Sequence, residues 1–121
     1  MTGSYEFPVH TMTGDVRRDI ILIDKVIGVG ELALSDHRSS EPTLDELKRV
    51  LTQARLGGML SGKAGVVQFH MGIGAAGIEP LRKFYRIAKF LQSILFPLML
   101  IVRLIYLNRL RNWLPKGVIW I

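Results

Sequence analysis

"GKAGVVQFHMG", residues 62–72, is a short apolar run that ends in a histidine and a glycine. Its centre is β-branched and aromatic, and glycines bound it, so it reads as a strand buried on both faces. Upstream, "EPTLDELKRVLTQARLGG" (41–58) carries Pro42 as a breaker and Thr43 followed by Glu46 as a capping box. Leu44, Leu47, Val50, Leu51 and Ala54 form one apolar helical stripe, and Gly57 and Gly58 are expected to end the helix. Further upstream, "DIILIDKVIGVGELALSDHRSS" (19–40) reads as another doubly buried strand. Strand, helix and strand make a βαβ unit with a right-handed crossover. In α/β folds functional residues gather at the C-terminal ends of such strands, where Ser35–Arg38 and His70 fall.

The chain has 121 residues, enough for one small domain, and no cysteine, which excludes disulfides and thiolate metal sites. Its start lacks a basic segment leading into an apolar one, so no signal peptide is expected there and the expected setting is cytoplasmic. A formal charge of +6 would suit a nucleic-acid or anionic-membrane partner. The distribution of that charge argues against nucleic acid. Residues 1–83 hold ten Lys/Arg and ten Asp/Glu, and no acidic residue follows Glu79. Arg86, Lys89, Arg103, Arg109, Arg111 and Lys116 supply the whole excess. Two compositions meet near Lys83.

Several residues could carry chemistry. Glu31 sits among apolar neighbours, where a carboxylate is costly unless paired or bound to a metal. It reads either as a strand end reaching a basic partner or as a metal ligand. His70 reads either as a satisfied core residue or as a ligand, since imidazole and carboxylate both suit Zn²⁺. In "SDHRSS", Arg38 could clamp a substrate carboxylate with a bidentate fork, or the loop with Asp36 and His37 could simply be solvated. Gly72, Gly74 and Gly77 resemble a phosphate loop in letters but lack its strand–helix context. The run "FLQSILFPLMLIVRLIYL" (90–107) is apolar enough to suggest a membrane span or a basic surface helix. It supports an alternative reading, a small membrane-associated protein with a basic apolar C-terminal helix.

"MTGSYEFPVHTMTGDVRRDIILIDKVIGVGELALSDHRSSEP" and "GGMLSGKAGVVQFHMG" closely resemble isoaspartyl (β-aspartyl) dipeptidase, a metal-dependent hydrolase of the amidohydrolase superfamily. The likeness runs over residues 1–83. It implies a (β/α)8 TIM barrel, two zinc ions, hydrolysis of the isopeptide bond of β-aspartyl dipeptides, and a homo-oligomer for the intact enzyme. By position it makes His70 a metal ligand, Tyr5 the hydroxyl that polarises the scissile carbonyl, and Arg38 the arginine that binds the substrate carboxylate. Family members place a carboxylated lysine that bridges the metals just after "VIGV"; here Gly30–Glu31 stands instead, and Glu31 has the shape and charge to replace it. The family's His-x-His motif should lie upstream of Met1.

Downstream, the family shows Thr-His-Val-Asn-Arg where this chain reads "PLMLIV" (97–102). That string can be encoded CCA CTC ATG TTA ATC GTA, and dropping the first two bases gives Thr-His-Val-Asn-Arg. "RIAKFL" (86–91) and "KGVIW" (116–120) yield family-like residues in the same shifted frame. The expectation is therefore a reading-frame slip near Lys83: residues 1–83 are part of an amidohydrolase barrel, one βαβ unit of it, and residues 84–121 are a non-native, helical, apolar tail. With only Glu31 and His70 of the metal set, the chain alone is expected to be inactive.

Overall fold

The computed structural model describes residues 1–91 and 100–104. Three helices and three strands alternate in it: α1 (Val16–Leu22), β1 (Gly28–Leu34), α2 (Leu44–Ser61), β2 (Val66–Met71), α3 (Glu79–Leu91) and β3 (Leu100–Leu104). The strands form one parallel sheet in the order β1-β2-β3. The N-terminal segment runs parallel beside β1, bridging Thr2 to Val29 and Tyr5 to Leu32. The α/β class and the βαβ unit β1–α2–β2 are as the sequence implies.

Alternation sets the core. Val29, Leu32 and Leu34 of β1 and Val67, Phe69 and Met71 of β2 are buried with Leu47, Leu51 and Ala54 of α2 and Val16 and Ile20 of α1. Gln68 and His70 fall at the alternate positions of β2 and are only partly buried. The capping box of α2 is present: Glu46 N–H donates to Thr43 Oγ1 at 3.3 Å, and Thr43 N–H donates to Glu46 Oε2 at 2.7 Å.

Three expectations are corrected. The stretch 19–40 is not all strand, because Val16–Leu22 is helical. Asp15 caps that helix by accepting from Arg18 N–H at 2.7 Å, and the i, i+4 pair Val16 and Ile20 turns inward. Gly57 and Gly58 do not end α2. A Cβ at Gly57 would lie 3.1 Å from that of Ile20, and one at Gly58 would meet the Gly65 backbone at 2.6 Å. These glycines admit close packing, and the helix ends at Gly62, left-handed with φ 69°. In the apolar tail, Leu100–Leu104 is not helical but a strand parallel to β2. β-branched Ile101 and Val102 favour extended backbone, and β2 offers a free edge to pair with. The remainder of the expected helical tail, 92–99 and 105–121, lies outside the described residues, whereas 84–91 belong to α3. Among the described residues no helix is long and apolar enough to cross a membrane.

Asp19 anchors the N-terminal segment. It is fully buried, yet it accepts from Met12 N–H at 2.9 Å, Thr13 N–H at 2.8 Å, Thr13 Oγ1 at 2.5 Å and, in a short contact, Thr2 Oγ1. Burial opposes its charge, but the bonds from Thr13, Thr2 and the Met12 amide outweigh it and lower its pKa. A lowered pKa means stability that is complete above the ordinary carboxylate range and lost as pH falls through the folded value. Asp19→Asn, which sets an NH₂ against donors, should reduce protection of the Met12 and Thr13 amides by about 2 kcal/mol at pH 7. Hydrogen exchange corrected for intrinsic rate checks this, and the gap between the two proteins should shrink below about pH 4.

Candidate functional site

The register of β1 against β2 builds the site. Val29 pairs with Val67, but Leu32, not Glu31, pairs with Phe69. One extra residue thus bulges from β1 at Gly30–Glu31. Strict alternation from Val29 would turn Glu31 into the core beside Phe69. The bulge gives that position to Leu32 and leaves Glu31 free to meet His70. Gly30 makes the bulge possible: its φ is 145°, and a Cβ there would lie 2.8 Å from both the Cβ and the carbonyl oxygen of Gln68.

Four residues singled out in the sequence come together at the C-terminal ends of β1 and β2. His70 Nδ1 stands 3.2 Å from Glu31 Oε1. His70 Nε2 stands 2.8 Å from Arg38 Nη2 and 3.4 Å from Asp36 Oδ2. Arginine can only donate, so at 2.8 Å Nε2 is the acceptor, and the longer approach of Asp36 does not compete. The ring proton then lies on Nδ1, which donates to Glu31. The Tyr5 ring meets the His70 ring edge-on at 6.0 Å between centroids, and the Arg38 guanidinium lies over the Tyr5 ring at 4.6 Å. Tyr5 itself is delivered by the N-terminal segment: its N–H donates to Glu31 O at 2.7 Å, and its carbonyl accepts from Ala33 N–H at 2.9 Å.

Asp36 is the participant to which the sequence assigned no role. It accepts from Arg38 Nε at 2.8 Å, from Arg38 Nη2 at 3.3 Å and from the Arg38 backbone N–H at 3.0 Å. The Arg38 side chain, then its backbone N–H, hold the Asp36 carboxyl far below the usual carboxylate range. An acid two residues before an arginine in a loop was the available signal. The fork expected to grip a substrate is thus already occupied along its Nε–Nη2 edge. His37 is exposed, 3.5 Å from Asp36. Gly72 and Gly74 pack their backbones against Ser35 and Asp36, a structural use that removes the likeness to a phosphate loop. A cleft of about 430 Å³ opens beside Asp36, lined also by Ser35, His37, Glu41, Ile73 and Gly74.

Glu31 and His70 suit zinc in type but not in number. A catalytic zinc takes three protein donors, and among the described residues no group of three or more His, Cys, Asp and Glu could hold a metal ion. To ligate a metal, His70 must also give up either its bond to Glu31 or its bond from Arg38.

No protein-family model matches the chain. Over 84% of its length it is 52% identical to a beta-aspartyl dipeptidase from the thermophilic keratin degrader Fervidobacterium islandicum AW-1, with a TM-score of 0.72, and covers 26% of that chain. A structure of the Fervidobacterium islandicum AW-1 enzyme in complex with beta-Asp-Leu dipeptide matches at 50% identity and a TM-score of 0.71, over 84% of this chain and 25% of that one. The chain therefore spans about a quarter of the length of these relatives. The resemblance read in the sequence is borne out. The matched share exceeds what residues 1–83 make up, so the structural likeness runs past the seam at Lys83.

The bulge yields a direct test. Gly30→Ala should cost about 1–3 kcal/mol, because Ala disfavours this φ and its methyl meets Gln68. Denaturant titration should show that loss, and the Glu31–His70 contact should disappear from the nuclear Overhauser spectrum.

Proposed function

We propose that this chain is a fragment of a metal-dependent dipeptidase that hydrolyses the isopeptide bond of β-aspartyl dipeptides, and that it is inactive on its own. The observation that carries this reading is the convergence of Tyr5, Glu31, Arg38 and His70 at one end of a parallel sheet, in a chain 52% identical to a dipeptidase over most of its length. Residues 1–83 would then belong to a (β/α)8 TIM barrel, whose active sites lie at the C-terminal ends of the strands. We place the intact enzyme in the cytoplasm as a homo-oligomer.

Each side chain has a part that its surroundings favour. The Tyr5 hydroxyl donates to the oxygen of the scissile carbonyl as negative charge develops there. Arg38, over the Tyr5 ring, holds a substrate carboxylate and adds a fixed positive charge to the site. Glu31 and His70 would be two of the donors to the two zinc ions that the resemblance implies, Glu31 standing where the family has a carboxylated lysine. Zinc, when bound, would supply Lewis acidity and a hydroxide at neutral pH. The remaining donors would come from the part of the enzyme this chain does not span, which is why we expect no turnover from it alone.

The test compares two proteins. The chain as it stands, incubated with Zn²⁺ and β-Asp-Leu, should release no leucine. The coding DNA downstream of Lys83, read in the frame shifted by two bases, should encode Thr-His-Val-Asn-Arg, and the protein made in that frame with the upstream barrel segments should release leucine. Turnover by the chain alone, or a shifted frame without that sequence, would overturn this reading.

A further inference from the structure

Arg38 has a 39% exposed side chain in a loop, yet its guanidinium is held at three points. Nε and Nη2 reach Asp36, Nη2 also reaches His70 Nε2, and the plane rests on Tyr5. Nη1 is the one guanidinium nitrogen with no partner among the described residues. The question is which side chain fixes which.

Asp36 is anchored without help from the arginine side chain. Its side chain is 9% exposed. The residue before it, Ser35, is fully buried with φ 51° and donates its hydroxyl to Gly77 O at 2.6 Å. Gly72 presses its backbone against Asp36, so closely that a Cβ there would collide with it. The Asp36 carbonyl accepts from Ser39 N–H at 2.9 Å, and its carboxylate accepts from the Arg38 backbone. Charge-assisted bonds along one edge of a guanidinium fix its plane as well as its position. The fixed partner therefore orients the exposed one.

We propose that Asp36 is a positioning residue: it turns the Nε–Nη2 edge of Arg38 inward and lays the guanidinium on Tyr5, so that a ligand carboxylate meets Nη1 rather than an open fork. The inference rests on the reading of Arg38 as the carboxylate holder. It gives the site a single-ended contact, set in place before the ligand arrives, so little side-chain entropy is lost on binding.

Arginine side-chain NMR on the full ¹⁵N-labelled chain tests this. In the unmodified chain Arg38 Nε–H should exchange with water roughly tenfold more slowly than that of exposed Arg86, as a charge-assisted bond requires. Asp36→Asn should erase that difference while leaving the amide signals of Leu32, Ala33 and Phe69 in place. Fast exchange at Arg38 in the unmodified chain, which needs no variant to fold, would overturn the proposal. So would unchanged slow exchange in Asp36→Asn. Titration with β-Asp-Leu adds a separate arm: binding should weaken roughly five- to tenfold in Asp36→Asn, and the same change in an Arg38→Ala background should have no further effect. An equal loss in both backgrounds would mean that Asp36 acts independently of Arg38, against the proposal. If the unmodified chain does not bind the dipeptide at all, the carboxylate-holder reading fails, and Nε–H exchange still decides whether Asp36 fixes Arg38.

Discussion

A sheet covered by helices on one face has room for a carboxylate only on the other, and the extra residue at Gly30–Glu31 settles which face Glu31 takes. Val29 and Leu32 both belong to the core, three positions apart, opposite Val67 and Phe69, two positions apart. Without the added residue, register would press an ionised side chain against Phe69, at a cost of several kcal/mol. With it, the same carboxylate meets an imidazole. The glycine is required on two grounds, its backbone angle and the proximity of Gln68. The charged cluster therefore depends on a feature of the backbone rather than on any one of its own contacts.

Around that point the hydrogen bonds run in one direction. Arg38 donates to His70, and His70 donates to Glu31. Asp36 balances the arginine, so two acids face one guanidinium and one neutral ring. Tyr5 joins through the N-terminal segment, whose pairing with β1 is secured at its other end by Thr2 and Asp19. A buried carboxylate remote from the cluster thus helps to place the one phenol in it. The arrangement is satisfied without a metal, and a metal would have to displace one bond at His70 to bind there.

Much of this was legible in the sequence, where local chemistry decides local structure. Thr43 and Glu46 marked the start of α2, the run to Met71 marked β2, and Glu31 and His70 stood out as polar residues in apolar strands. The failures are tertiary. Ile20, Ile21 and Leu22 look like a strand, whereas the Asp15 cap and the inward-facing pair Val16 and Ile20 make that stretch helical. Gly57 and Gly58 look like terminators, whereas α1 and Gly65 need them small. Leu100–Leu104 looks helical by hydrophobicity alone, whereas a neighbouring strand edge makes it extended. The bulge itself has no letter pattern, since it exists only as a mismatch between two strands far apart in sequence. Asp36 likewise gains its meaning from Gly72, Ser35 and Arg38 together.

The claim on which the rest turns is that the bulge delivers Glu31 to a neutral His70 whose Nε2 accepts from Arg38. Long-range ¹H–¹⁵N correlation of the His70 ring in the metal-free chain measures this most directly. The account predicts a single neutral tautomer with the proton on Nδ1 and an unprotonated, hydrogen-bonded Nε2. A proton resident on Nε2, or a ring averaging between tautomers as in free solution, would contradict it.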